Sequence, residues 1–403
     1  MNIILRSLVA AMAFGVCGIG IAAEPIKVGV VIARSPPGSV VQGTQVRDGL
    51  EIAKTIINGA GGVLGRQIEL LYEDTQGVPE KGRAAVEKLI TKDQVVAIVG
   101  EHQSSVCLAE IEVVHRYNIP YINTNCWSDA VRTMGYREVF NPNNYNTRVA
   151  TAMAEVIKAL GTKRVVAFAE NTDYGIGQAQ AVGKLLKEKA PQVEYKFETL
   201  DRTGKDFTPA ILPLRGDPPD AVLTMMLPPA AYIVMNQLYE QGVAPSAKTW
   251  LYDGAGLADY PDFWSNVHEA GKYMLNFALY HPRMNIPPIG LKVGEAYTKK
   301  TGGEPNRLVF QAADSLLLVA DAIKKAGNTN ADAVIKQLKD IKFVGTRGTV
   351  QFSSEPGYKF QQWVDIPYVT YQLTEVSQPI SKSTLVQAPG IPLDISKLIK
   401  PVR

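Results

Sequence analysis

Histidine and cysteine are scarce: the chain has four of the first and three of the second. His102, His115, His268 and His281 fall at no metal-ligand spacing, and no His-Glu-x-x-His pair occurs, which excludes the familiar helical zinc site. No Gly-x4-Gly-Lys-Ser/Thr loop is present, so a P-loop nucleotide site is excluded. No Gly-x-Ser-x-Gly elbow is present either, which removes the common strand–helix nucleophile. Charge of one sign is also lacking: 42 Lys and Arg stand against 39 Asp and Glu, for a net charge of +3. That balance leaves no basic footprint for a nucleic acid and no charged tail. Beyond residue 23, no apolar run is long enough to span a bilayer.

What is present begins with the N-terminus. An apolar and glycine-containing run covers Leu8 to Ala23, preceded by Arg6 and followed by Glu24-Pro25. A basic start, an apolar middle and a small-residue exit describe a secretory leader, with cleavage expected after Ala23. The run is short for a membrane anchor. Val16 stands before Cys17 where a lipidation signal wants a small residue. The mature protein is expected to be exported to the periplasm. Two cysteines, Cys107 and Cys126, then remain in a compartment that permits disulfides.

With 403 residues, 46% hydrophobic and 20% charged, the chain has the composition of an ordinary globular protein of about two domains. Val/Ile/Ala-rich strands alternate with amphipathic helices along most of it. Strands are expected at 26–32, 67–72, 95–99 and 119–123, with helices at 45–58, 79–92 and 104–117 between them. A second series has helices at 147–160, 176–189 and 230–241 and strands at 164–168, 193–199, 221–225 and 249–252. Continuous apolar strands separated by helices predict parallel sheets covered on both faces. These are too many units for one sheet, and the polar stretch Asn141–Asn146 marks the break. The expected fold is α/β: two doubly wound, Rossmann-like lobes joined by a hinge that the chain crosses more than once. Later helices at 291–300, 308–325 and 331–339 complete lobes already begun. The assignment is residues 24–142 plus 280–348 to lobe 1, and 143–279 plus 349–403 to lobe 2. Gly175-Ile176-Gly177 opens a helix, but Gln180 stands where a dinucleotide fingerprint needs a third glycine. The sequence reads as a binder, not an enzyme, and no cofactor is expected.

Several segments together resemble the periplasmic solute-binding proteins of the branched-chain amino-acid uptake family, the type I binding fold. They are the first strand with its Ser-Pro-Pro-Gly turn, Ile57-Asn58-Gly59-Ala60-Gly61-Gly62-Val63-Leu64-Gly65-Arg66, and Tyr72-Glu73-Asp74-Thr75. Gly100–Ser105, Glu170–Gly175 and Gly348–Phe352 continue the resemblance in order. It implies a receptor that captures a small amphipathic acid between two lobes and delivers it to an inner-membrane ABC permease and ATPase. The ligand is expected to be a branched-chain or other neutral amino acid, or alternatively an aromatic carboxylate. A sensory receptor module is a further alternative, and the expected state is a monomer.

Open parallel sheets bind at the carboxyl ends of their strands. Ser104 and Ser105 follow a strand and open a helix, whose N-terminus suits a carboxylate. The resemblance implies that Ser104 bonds the ligand's carboxylate. Asn125 and Trp127 follow the fourth strand, and Trp127 stands where the family has threonine. Tyr174 matches the family's ligand-facing tyrosine, and Leu227 stands near a position often aromatic. Asp253 is the implied partner of a ligand ammonium, with Glu170 and Asp129 as weaker carboxylates. Gln42, in the loop after the first strand, is a further cleft candidate. The family's usual disulfide positions correspond to Gln76 and Gln103, so that bridge is missing. Cys107 and Cys126 lie at one sheet edge, where a disulfide or two buried thiols are both open.

Overall fold

The computed structural model describes residues 23–402. The leader expected over residues 1–23 lies, but for Ala23, outside the described residues. Continuous apolar runs do what their pattern predicts and become strands buried on both faces. The first sheet has the order β2-β1-β3-β4-β5, from Ile26–Ile32 (β1), Ile68–Asp74 (β2), Ala97–Gly100 (β3), Tyr121–Asn123 (β4) and Val139–Phe140 (β5). Every pairing in it is parallel. On one face lie Pro79–Thr91 (α2) and Ser104–Tyr117 (α3), packed on each other. On the other lie Val40–Gly59 (α1) and the long helix Arg307–Ala326, which pack side by side.

The second sheet adds Arg164–Glu170 (β6), Glu194–Leu200 (β7), Ala221–Met225 (β8), Trp250–Asp253 (β9) and Leu275–Ala278 (β10). These five are parallel in the order β10-β9-β8-β6-β7. Two later strands, Val369–Gln372 (β13) and Thr384–Gln387 (β14), extend it antiparallel beyond β10. Between β10 and β13 in the chain, Lys342–Val344 (β11) and Thr349–Gln351 (β12) form a small antiparallel hairpin. Asn146–Ala159 (α4) and Asp173–Lys189 (α5) pack together on this sheet, and Ala230–Glu240 (α6) follows β8. Pro288–Thr301 (α7) leads into α8, the helix at 307–326, and Ala331–Lys339 (α9) packs on α8. Among the described residues, no helix is long and apolar enough to cross a membrane.

The chain passes between the sheets three times: after β5, after β10, and between β12 and β13. Arg132 ties the first and third of these passages together. Its guanidinium donates to Cys126 O, Ser128 O, Asn143 Oδ1, Asn144 O and Gln362 Oε1 at 2.6–2.9 Å. Asn141 and Trp363 add backbone bonds between two of the crossings. The polar stretch that marked the break is buried, with Arg132 donating to Asn143 Oδ1 and Asn144 O within it.

Helix α1 starts at Val40, earlier than the residue-45 start that periodicity suggests. Its first turn holds Gly43, where a Cβ would sit 1.9 Å from Ala33 O, so only glycine lets the helix approach β1 so closely. Gln42 consequently lies in a helical turn, not in a loop.

Candidate functional site

The carboxyl ends of β3, β4, β6, β8 and β9 face one another across a cleft, and the cavity between them is narrow in this form, about 10 Å³, room for about one water. Its lining is His102, Ser104, Asn125, Trp127, Tyr174, Leu227, Ala255 and Arg307. The structure thus brings together five residues singled out from sequence: Ser104, Asn125, Trp127, Tyr174 and Leu227. It adds His102 and Arg307, which sequence reasoning missed.

Ser104 is the first residue of α3, and its Oγ accepts from Ser128 N at 3.1 Å. That bond leaves the hydroxyl proton free to donate, beside the unpaired N–H groups of the first helical turn. Trp127 gives its indole N–H to Asn125 Oδ1 at 3.2 Å. Its ring stands edge-on to Tyr174 at 6.2 Å and to Phe277 at 6.1 Å, so the apolar wall is held rigid from two sides. Tyr174 reaches Gly254 O at 3.4 Å. Its helix starts early because Thr172 Oγ1 caps Gly175 N.

Arg307 opens α8, capped by Asn306, whose Oδ1 accepts from Leu308 N and Val309 N. Its guanidinium donates to Gly256 O, Asp259 Oδ2, Ala255 O and Tyr260 Oη at 2.7–3.1 Å. It lies over the Trp127 ring at 5.2 Å and the Tyr260 ring at 5.1 Å. Its Nε is buried and has no partner. Burial disfavours the cation, but the Tyr260 and Asp259 contacts outweigh burial and hold Arg307 charged.

No Asp or Glu is among the lining residues. Asp253 is buried behind the wall, and its oxygens take Ala255 N at 3.0 Å and Leu257 N at 2.7 Å. Burial pushes its pKa up to about 7. Glu170 is turned to Thr172 Oγ1 at 2.6 Å and Leu227 N at 2.8 Å, and burial raises its pKa too. Asp129 caps Thr147 and lines an outer groove with Ser105. Ser105 donates to Asp173 Oδ2 at 2.7 Å and so bonds α3 to α5 across the mouth of the cleft. Gln42, 2% exposed, does not line the cavity.

Cys107 and Cys126 are joined, with Cα atoms 6.5 Å apart. The bridge ties the first turn of α3 to the loop carrying Asn125 and Trp127. Among the described residues, no cluster of His, Cys, Asp and Glu is arranged to hold a metal ion.

A family model described as periplasmic binding protein matches residues 25–364. The Leu/Ile/Val-binding protein homolog 3 of Brucella melitensis is 25% identical over 356 residues, covering 84% of this chain and 92% of that one. A leucine-, isoleucine-, valine-, threonine- and alanine-binding protein of Pseudomonas aeruginosa is 24% identical, covering 88% and 93%. Among solved structures, a leucine-binding protein from Thermotoga maritima aligns with a TM-score of 0.79 at 23% identity, over 90% of this chain and 98% of that one. An ABC transporter solute-binding protein from R. palustris in complex with benzoate aligns at 0.77 and 18% identity, over 92% and 97%.

Proposed function

The chain belongs to the periplasmic binding protein family, in its two-lobed type I form, and on that premise we propose that it is the periplasmic receptor of an ABC importer for a small carboxylic acid without an ammonium group. One observation carries the choice of ligand. The cavity wall holds the Arg307 cation with a spare N–H, and no carboxylate lines it. A buried ammonium without a counter-charge is strongly disfavoured, whereas a carboxylate meets the Ser104 hydroxyl and the spare Arg307 N–H.

In this reading Ser104 and the N-terminus of α3 hold the carboxylate, Asn125 orients Trp127, and Trp127, Tyr174 and Leu227 part to receive a flat apolar body such as an aromatic ring. Asp253 serves its own loop. The Ser105–Asp173 bond fastens the closed form, whose two lobes together present the surface that an inner-membrane permease recognises. The role is capture and delivery, with no bond made or broken. The amino-acid names of the sequence relatives favour a second reading, a neutral amino acid, in which Asp253 turns toward the ligand.

A thermal-shift panel of benzoate, 4-hydroxybenzoate, leucine, isoleucine and valine tests the proposal. A ligand at about 100 times its dissociation constant adds roughly 2.7 kcal/mol of stability. The acids are expected to raise Tm and the amino acids to leave it unchanged. The reverse pattern sinks the proposal.

A further inference from the structure

His102 lines the cavity but has no role in the account above. It sits two residues before Ser104, on the loop from β3 into α3, and is 5% exposed. Its Nε2 lies 3.4 Å from the Tyr260 hydroxyl, with the two ring centroids 6.5 Å apart. Its Nδ1 is buried and has no hydrogen-bond partner in the protein. Orphaned buried polar atoms are rare in native proteins, so one on the wall of a binding cavity points to a ligand atom.

The proton positions follow from a neighbour that can only donate. Arg307 Nη2 gives its proton to Tyr260 Oη at 2.9 Å. The hydroxyl's own proton must point elsewhere, and His102 Nε2 is the acceptor beside it. An imidazole that accepts at Nε2 and is neutral carries its proton on Nδ1. Neutrality is enforced by burial first and then by the cations of Arg307 and Arg202, which hold the His102 pKa at about 3.

We infer that the relay Arg307–Tyr260–His102 locks His102 as the Nδ1–H tautomer, and that this N–H is a second donor, beside the Ser104 hydroxyl, to the ligand's carboxylate. The inference rests on the proposed function and names the residue that sets specificity within it. A rim of His102 N–H, Ser104 O–H and Arg307 Nε–H is all donors. It suits the lone pairs of a carboxylate and rejects a primary carboxamide, whose NH2 would face donors.

Two measurements on the mature chain test this. In histidine-15N-labelled protein without ligand, long-range 1H–15N correlation should find one ring with Nδ1 protonated and Nε2 bare. That pattern should hold from pH 8 to 5 and vanish in His102→Asn. Tyr260→Phe should shift it toward Nε2–H. If the ring signal lost in His102→Asn is Nε2–H or charged in the wild type, the inference is overturned. Benzoate and benzamide are then titrated calorimetrically into wild type, His102→Asn and His102→Leu. The Asn amide nitrogen takes the place of Nδ1, so Asn should keep benzoate affinity within about threefold. Leu should lose at least about tenfold and narrow the preference for benzoate over benzamide, on the scale of one charge-assisted hydrogen bond. Equal affinities in the Asn and Leu variants overturn the donor role. The tautomer result together with no binding of benzoate contradicts the ligand reading and leaves the relay standing, so the two failures are distinguishable.

Discussion

Arg132 and Arg307 are each 1% exposed, and each is surrounded by backbone carbonyls, yet their donors are used differently. A guanidinium has five N–H donors. Arg132 uses all five, and every acceptor is a neutral oxygen of a segment near or on the passage between the sheets. Burial lowers its pKa to about 10, which still leaves it charged at neutral pH. Arg307 uses four donors, one of them on Asp259, and the fifth is left without a protein partner on the wall of a cavity. Saturation marks a cation that holds a fold together; a spare donor on a cavity marks one that meets a ligand. A spare donor alone is not enough. Arg347 also has unpartnered nitrogens, but it packs on Trp363 against Asp314 and does not line the cavity.

The comparison breaks most directly at the saturated arginine. Arg132→Met should strand five buried acceptors at once and lower stability by about 3–5 kcal/mol, read as the urea midpoint. A loss under about 1 kcal/mol would mean the network is not what holds the crossings. Arg307→Lys keeps a charge for Asp259 but loses the planar fork and the Nε donor. Its expected effect falls on binding: acid affinity drops by about 10–100-fold, or roughly 1.4–2.7 kcal/mol, with a smaller change in stability than at Arg132. Calorimetry and urea unfolding on the same preparation separate the two.

A smaller effect concerns pH. The folded state holds His102 at about 3, below its ordinary value of 6.5, because of burial and the Arg307 and Arg202 cations. The unfolded chain therefore takes up a proton that the folded state refuses. The stability this contributes is full above pH 6.5 and is lost as pH falls toward 3, by up to about 1.4 kcal/mol per pH unit. Urea unfolding at pH 7.5, 6 and 5 should show a shallower loss in His102→Asn than in wild type. His281, also lowered, to about 4, keeps its own share in both proteins. The smallest effect is at Asp253. Its oxygens serve Ala255 N and Leu257 N, so Asp253→Asn should change acid affinity less than about threefold, or roughly 0.7 kcal/mol. A loss above tenfold would mean that the Asp253 carboxylate takes part in holding the ligand.

Much of this was legible in the sequence, for reasons that also explain what was not. The strands before Ser104, Asn125, Tyr174 and Leu227 are continuous apolar runs, and the carboxyl-end rule points at the residues after them. All four, with Trp127, line the cavity. Arg307 follows no strand. It opens a helix after Pro305-Asn306, a readable cap, but nothing local says which way that helix end faces. His102 falls at no metal-ligand spacing, the signal by which a histidine stands out in a sequence, and its partner Tyr260 is distant in the chain. Strand β5 is two residues long, too short for any period. The strands β13 and β14 lie in the Pro-rich tail, and only the edge left open by β10 makes them part of the second sheet. Helix α1 hid its first turn behind Val40-Val41 and Gly43, residues that on propensity alone do not begin a helix.

The central claim is that the cavity takes a carboxylate without an ammonium group. Leucine and 4-methylpentanoate share one carbon skeleton and differ only in that group, so paired calorimetric titrations isolate it. The account predicts that 4-methylpentanoate binds at least about tenfold more tightly than leucine, which is about 1.4 kcal/mol. Leucine binding tenfold more tightly than its deaminated twin would contradict it.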